Sequence, residues 1–232
     1  MAQKYTATVT KKEKVSSKVY CLTFTLVSPP TLPFKAGQNI MLMIAPGINR
    51  TMSIASSPST PNTILLAHDV APRGPGSLWT ENLKIGDTAT FVAPTGGVLS
   101  LLPTSKRKVL IATGTGIAPF RAVLYDYLEK PHEAPIILYW GVRFVEDLFW
   151  SNEFDQLQKT HADFSWQLIY SKPPEEWMGL KGHVTEYVLE QEKDMQNSEF
   201  YICGNKAMVD EMQAVLLERK VPNEQIKREL FY

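Results

Sequence analysis

The chain has 232 residues, 44% apolar and 21% charged, and its 24 Lys plus Arg balance 24 Asp plus Glu. That length suits two domains with ample core, and a zero formal net charge excludes the global basic field that gathers nucleic acid or anionic membrane. No apolar run approaches the roughly 18 residues a membrane span needs, and Cys21 and Cys203, without a Cys-x-x-Cys, encode neither an iron–sulfur cluster nor a zinc ribbon.

The N-terminal Met-Ala-Gln-Lys-Tyr-Thr-Ala-Thr lacks the apolar core of a signal peptide. Reduced thiols and a cytoplasmic location are therefore expected. Strands are predicted at 5–10, 20–27, 40–44, 51–55, 64–70 and 88–92. Between them lie the turn-formers Ser28-Pro-Pro30, Pro46-Gly47, the stretch 57–62 and Gly86-Asp87. Strands this close, without long helices between them, predict an antiparallel β-barrel or sandwich. A short helix is expected at 77–83.

Near Pro103 the pattern changes to alternating strands and helices. Strands are predicted at 109–113, 135–143, 164–171, 200–204 and 226–231, and helices at 119–129, 147–159, 184–190 and 205–220. That alternation means a doubly wound parallel sheet. The predicted architecture is thus a two-domain β plus α/β chain: an antiparallel barrel at 1–102 and a nucleotide-binding α/β domain at 103–232.

The second domain opens on Val109-Leu-Ile-Ala-Thr-Gly-Thr-Gly-Ile-Ala-Pro-Phe-Arg121. A buried strand runs into a turn where Gly114 and Gly116 let backbone approach a ligand. Pro119 suits the first turn of the following helix, on which Phe120, Val123, Leu124, Tyr127 and Leu128 form one apolar face. Strand, turn and helix start aim free N–H groups at one point, which suits a phosphate. The third glycine of the usual dinucleotide fingerprint is absent, so an ordinary strand-to-helix turn is an equal reading of this stretch alone. The other predicted strand ends, Gly141-Val-Arg143, Ser171-Lys172 and Cys203-Gly204, are small, polar or cationic, as a nucleotide site at the carboxyl ends of such a sheet requires.

Four motifs in order, Arg50-Thr-Met-Ser53, Gly74-Pro-Gly-Ser77, Gly114-Thr-Gly-Ile-Ala-Pro119 and Cys203-Gly-Asn-Lys-Ala-Met208, resemble the ferredoxin–NADP⁺ reductase superfamily over essentially the whole chain. The resemblance implies an FAD-binding barrel before an NAD(P)-binding domain, and hydride exchange between nicotinamide and flavin followed by electron delivery to a partner. By the same resemblance Arg50 would bind the flavin diphosphate as a charge-assisted donor. Gly74, Gly76 and Ser77 would cradle it at a helix start. Thr51 and Met52 would line the flavin, with Ser53 at its N5. His68 and Val70, on the strand facing the flavin, complete that set. Met52 stands where the family has tyrosine; as a polarizable apolar residue it either covers the ring or fills the core.

Gly114, Gly116 and Pro119 would hold the dinucleotide pyrophosphate, with Thr113 near the nicotinamide and Gly141 among the cofactor-binding strand ends. Cys203 and Gly204 match the family's Cys-Gly turn beside nicotinamide C4, followed by Met208. The other reading of Cys203 is a small buried hydrophobe. The C-terminal Glu229-Leu-Phe231-Tyr232 is similar to the family's Glu-x-aromatic ending. Phe231 or Tyr232 would shield the flavin, and Glu229 would relay protons near Ser53 and Cys203; a plain closing strand is the alternative. Catalytic roles thus fall to Ser53, Cys203 and Glu229.

Arg143 and Lys172, with Ser171, suit a 2′-phosphate and hence NADPH. Glu146 or Asp147 reaching a ribose hydroxyl would instead suit NADH. The expected electron acceptor is a ferredoxin- or flavodoxin-type redox protein or an oxygenase component. A free-flavin reductase, a non-catalytic nucleotide-binding module and an electron-transfer subunit of a larger complex stand as alternatives. There is no Gly-x-Ser-x-Gly, and His68, His132, His161 and His183 show no metal-ligand spacing.

Overall fold

The structure is a computed structural model that describes residues 2–231, the Phe231 side chain excepted. The expected roles of the Phe231 ring and of Tyr232 lie outside the described residues. The chain divides into two compact units. One holds the chain up to Ser100 together with Ala118–Glu129; the other holds Leu101–Ile117 together with the chain from Lys130.

The first unit contains β1 (Gln3–Lys14), β2 (Val19–Ser28), β3 (Asn39–Ala45), β4 (Ile48–Ser53), β5 (Thr63–Asp69), helix α1 (Pro75–Asn82) and β6 (Thr88–Thr95). The strands form one antiparallel sheet in the order β4-β3-β6-β1-β2-β5. Period-two patterning is the cause: Tyr5, Ala7 and Val9 of β1 and Ala89, Phe91 and Ala93 of β6 are buried while their neighbours face outward. Tyr5 stacks on its cross-strand partner Phe91 with ring centroids 5.6 Å apart. The sheet curls because the chain leaving β4 bonds to the far edge: Ala55 N–H donates to Leu65 O at 2.8 Å, and Ser56 Oγ to Thr63 O at 3.0 Å. Lys12 Nζ reaches across to donate to Glu81 O and Leu83 O, both at 2.8 Å, closing the carboxyl end of α1.

The remaining elements are β7 (Arg107–Thr113), α2 (Ile117–Leu128), β8 (Ile136–Val142), α3 (Ser151–Thr160), β9 (Phe164–Tyr170), β10 (Leu180–Lys181), α4 (Val184–Gln191), β11 (Ser198–Asn205), α5 (Lys206–Glu218) and β12 (Ile226–Phe231). Here the sheet is wholly parallel, in the order β10-β9-β8-β7-β11-β12. Its central strands are continuous apolar runs because both faces are covered. From Ala118 onward α2 groups with the first unit, where Arg121 Nη1 donates to Ala55 O at 2.9 Å.

Two elements differ from expectation. The helix expected from 147 begins only at Ser151, because Trp150 turns into the left-handed region at φ 61° after a separate 3₁₀ turn at Val145–Asp147. Strand β10 is too short for any periodic signal, and it sits between Gly179 and Gly182. No helix among the described residues is long and apolar enough to cross a membrane.

At the amino end of the parallel sheet, Lys108 is fully buried and paired with Glu199 at 2.6 Å. Its ammonium also donates to Leu102 O and Thr104 O, each at 3.0 Å. Glu199 accepts from Tyr201 OH at 2.9 Å and from Thr104 Oγ1 at 2.6 Å. Burial alone would raise the Glu199 carboxyl; the bonds from Lys108, Thr104 and Tyr201 outweigh it and hold the group below its ordinary range.

Candidate flavin and nucleotide sites

In the first unit three elements bring side chains to the start of α1. Arg50 and Thr51 are exposed on β4, whereas Met52 and Ser53 are buried. His68 lies on β5, and Val70, buried, follows that strand. A Cβ placed on Gly76 would stand 3.3 Å from His68 Cε1 and 3.4 Å from Arg50 Cγ and Nε. Arg50, His68 and Gly76 therefore converge, so closely that a side chain at 76 would crowd the other two. His68 Nδ1 is 2.7 Å from Thr80 Oγ1 of α1, itself fully buried. Burial lowers the His68 imidazole below its ordinary value of 6.5; Asp69 opposes that shift and Arg50 reinforces it.

The helix start supplies the rest. Gly74 is the N-cap, without a side-chain cap, and Pro75 brings no N–H. The amides of Gly76 and Ser77 fall in the first turn, where no intrahelical acceptor exists. A guanidinium beside two such N–H groups fits a diphosphate in charge and donor geometry. Met52 belongs to the barrel core cluster with Ile40 and Ile54, and Ser53 is the cross-strand partner of Asn39.

In the second unit the sheet order reverses between β7 and β11, because β8 and β9 continue to one side and β12 to the other. A crevice opens at such a switch point, outside the carboxyl ends of the strands. The 3₁₀ turn Gly114–Gly116, after Thr113, and the end of β11 at Gly204 lie there side by side. Gly114 sits at φ +53° with open space where its Cβ would be, so its backbone is approachable. Gly116 faces the opposite way; a Cβ there would stand 2.3 Å from Cys203 O. At Gly204 a Cβ would meet Thr113 Oγ1 at 2.0 Å. Pro119 is buried in the first turn of α2, Met208 is buried with its Cε 2.9 Å from where a Gly204 Cβ would stand, and a Cβ on Gly141 would press on Thr113 Cγ2 at 3.2 Å.

Two residues that motif reading did not select hold the turns. Trp140, fully buried between Phe149 and Phe154, donates from Nε1 to Gly114 O at 3.0 Å. Asn205 donates to Thr113 Oγ1 from its backbone and from Nδ2, both at 3.1 Å, and its Oδ1 accepts from Met208 N–H at 3.0 Å. The N-cap preference of Asn would have revealed that last bond. Nothing local signals the bonds to Thr113 or from Trp140, which depend on strand order.

Along the next strand ends, Ser171 N–H donates to Val142 O and Lys172 N–H to Arg143 O, both at 2.9 Å. Arg143 and Lys172 are exposed, and the Arg143 guanidinium lies 5.2 Å from the Phe144 ring centre. The same edge carries acids: burial first, then Asp147 and Glu146, push the Tyr170 hydroxyl above its ordinary range. Cations and carboxylates thus share this edge.

Cys203 is fully buried and is the register partner of Glu229 on β12. Burial, and secondarily the Glu229 charge, push its thiol well above 9. It is therefore a neutral, compact group at neutral pH, not a thiolate nucleophile. Native protein at pH 8 is expected to release no chromophore from an aromatic disulfide reagent, whereas denatured protein should react at both of its buried cysteines, neither of which is in a disulfide. Rapid native reaction of one thiol would contradict this placement.

Comparison with known proteins gives concordant results. Residues 6–99 match the family model of the oxidoreductase FAD-binding domain, and residues 110–214 that of the oxidoreductase NAD-binding domain. The reductase component of a Gordonia propane 2-monooxygenase is 30% identical over 238 residues, covering 97% of this chain and 66% of that protein. The chain spans between 39% and 66% of the length of the curated relatives it matches. Among solved structures, an Amycolatopsis cytochrome P450 reductase superposes with TM-score 0.91 at 25% identity, covering 99% of this chain and 70% of that one. A Neisseria gonorrhoeae ferredoxin NADP⁺ reductase with bound FAD and NADP shares the fold at TM-score 0.79 and 23% identity, covering 100% and 99% of the two chains.

Proposed function

Because the chain belongs to the ferredoxin–NADP⁺ reductase superfamily, we propose that it is an FAD-dependent NAD(P)H oxidoreductase that moves hydride from nicotinamide to flavin and passes electrons singly to a separate acceptor. The observation that carries this reading is the pair of glycine sites, Gly76 close against Arg50 and His68 in one unit and the open backbone of Gly114 after Thr113 in the other. The acceptor is an oxygenase component or a small redox protein, in keeping with the monooxygenase reductase among its relatives. The working domains are 1–102 for FAD and 103–232 for the nicotinamide nucleotide, and the protein acts in the cytoplasm. Bound flavin supplies the conversion of a two-electron donor into one-electron delivery.

The chain's own residues do the rest. Arg50 and the first-turn amides of α1 hold the diphosphate, and neutral His68 keeps α1 tied to β5 through Thr80. Ser53 presents its hydroxyl toward the reacting edge of the flavin. Glu229, next to Cys203, holds the proton-relay position. Arg143 and Lys172 support NADPH as donor; Glu146 and Asp147 on the same edge support NADH.

An oxygen-free visible spectrum recorded before and after NADPH, then NADH, tests the proposal. The expected result is a flavin spectrum that bleaches, with the faster nucleotide assigning the donor. A colourless protein that takes up no FAD would overturn the reading. A protein that is colourless but reduces added flavin would replace it with a free-flavin reductase. Arg50→Ala is expected to weaken FAD binding about 10- to 100-fold, the range for losing a hydrogen bond to a charged group. Flavin fluorescence on dilution measures it.

A further inference from the structure

Thr113 Oγ1 has two lone pairs and one hydrogen. Both lone pairs are taken, one by Asn205 N–H and one by Asn205 Nδ2. The amide orientation follows from the third bond: Met208 N–H must meet the carbonyl oxygen of the side chain, so the NH₂ end faces Thr113. The same residue thereby caps α5 and ties its start to the end of β7, 92 residues earlier. Thr113 is half-buried at the mouth of the switch-point crevice, between Gly114 and the Gly204 turn.

We infer that Asn205 is a positioning residue for the nicotinamide end of this site: by filling both lone pairs of Thr113 Oγ1 it leaves that hydroxyl only a hydrogen to offer, to an acceptor such as the nicotinamide carboxamide oxygen. The inference rests on the proposed reading of the second unit as a nicotinamide-nucleotide domain. Donation is thus set before the ligand arrives, with no hydroxyl reorientation on binding. A serine or proline after Gly204 would supply no NH₂ to Thr113, so this polarity belongs to the present sequence and not to the glycine turn as such.

Asn205→Asp separates the two jobs of the side chain. One carboxylate oxygen still accepts from Met208 N–H, and Asp is as good an N-cap as Asn. The other now faces Thr113 as an acceptor, so the hydroxyl turns to donate to it and the ligand meets a lone pair. Titration calorimetry would compare NAD⁺ with ADP-ribose, and NADP⁺ with 2′-phospho-ADP-ribose. The ribose compounds lack the nicotinamide and report the added negative charge and the pyrophosphate contacts alone.

The nicotinamide-bearing ligands are expected to weaken about tenfold more than their truncated counterparts. The thermal midpoint should be unchanged. In a Thr113→Val background the same Asn205→Asp change should no longer distinguish the two kinds of ligand. If the variant weakens full-length and truncated ligands equally, or neither, Asn205 only caps α5 and the inference falls alone. If the wild-type protein binds none of the four ligands, the nicotinamide reading falls and takes the inference with it.

Discussion

Gly116→Ala is expected to cost about 1–3 kcal/mol of stability, the range for overpacking a close-packed site, and to raise the KM for the nicotinamide nucleotide at least about tenfold. The Cβ would stand 2.3 Å from Cys203 O, 2.6 Å from Cys203 C and 2.9 Å from Gly204 Cα. All three are backbone atoms, so no side-chain rotation relieves the clash. The only relief is to part the two turns, which displaces the Thr113–Asn205 bonds and the carbonyl that Trp140 holds. Gly114→Ala tests the complementary cause. Nothing crowds its Cβ position, but φ +53° costs an L residue about 1–2 kcal/mol. Its effect on stability should therefore resemble that of Gly116→Ala, while its effect on KM should be smaller. Steady-state kinetics with urea unfolding would check both, and a Gly116→Ala protein of unchanged KM would show that the turns bind nothing together.

Lys108→Met should destabilise the fold by about 3–5 kcal/mol, the cost of stranding a buried charge. Glu199 would lose the ammonium at 2.6 Å while remaining enclosed. Removing both charges, as Lys108→Met with Glu199→Met, should cost less than Lys108→Met alone, since no ion is then stranded. The pH dependence has a definite sign. Because the folded Glu199 pKa lies below its ordinary 4.5, the pair stabilises the protein fully above that value and loses its contribution as pH falls through the lower folded value. The stability gap between wild type and Lys108→Met should consequently narrow on acidification below pH 4.5. Urea midpoints measured across that range decide it, and a gap independent of pH would mean that the network is not electrostatic.

Much of this molecule is written locally. Period-two alternation in 5–10 and 88–92 specifies a half-buried antiparallel strand wherever it is placed, and both stretches fall within the observed β1 and β6. The apolar face of Phe120, Val123, Leu124 and Leu128 specifies a packed helix in the same way, and these residues are buried. Glycines at 116 and 204 announce close approach, and Gly114 a left-handed φ of +53°, because glycine tolerates both. Local patterning failed where it had too little chain to act on, as in two-residue β10, or where one residue took a left-handed conformation, as at Trp150.

Strand order is a different matter. Crossover connections, not periodicity, seat β7 beside β11, so the meeting of Thr113 with Asn205 and of Lys108 with Glu199 spans 92 and 91 residues. No window of sequence reports such a pairing, because each partner reads locally as an ordinary polar residue at a strand end. Lys108 is wholly buried although lysine is ordinarily a surface residue, and fully buried Trp140 also fixes the turn at Gly114. Chain-local chemistry decided which residue types stand at the strand ends; the tertiary arrangement decided which of their atoms are already held by hydrogen bonds within the chain.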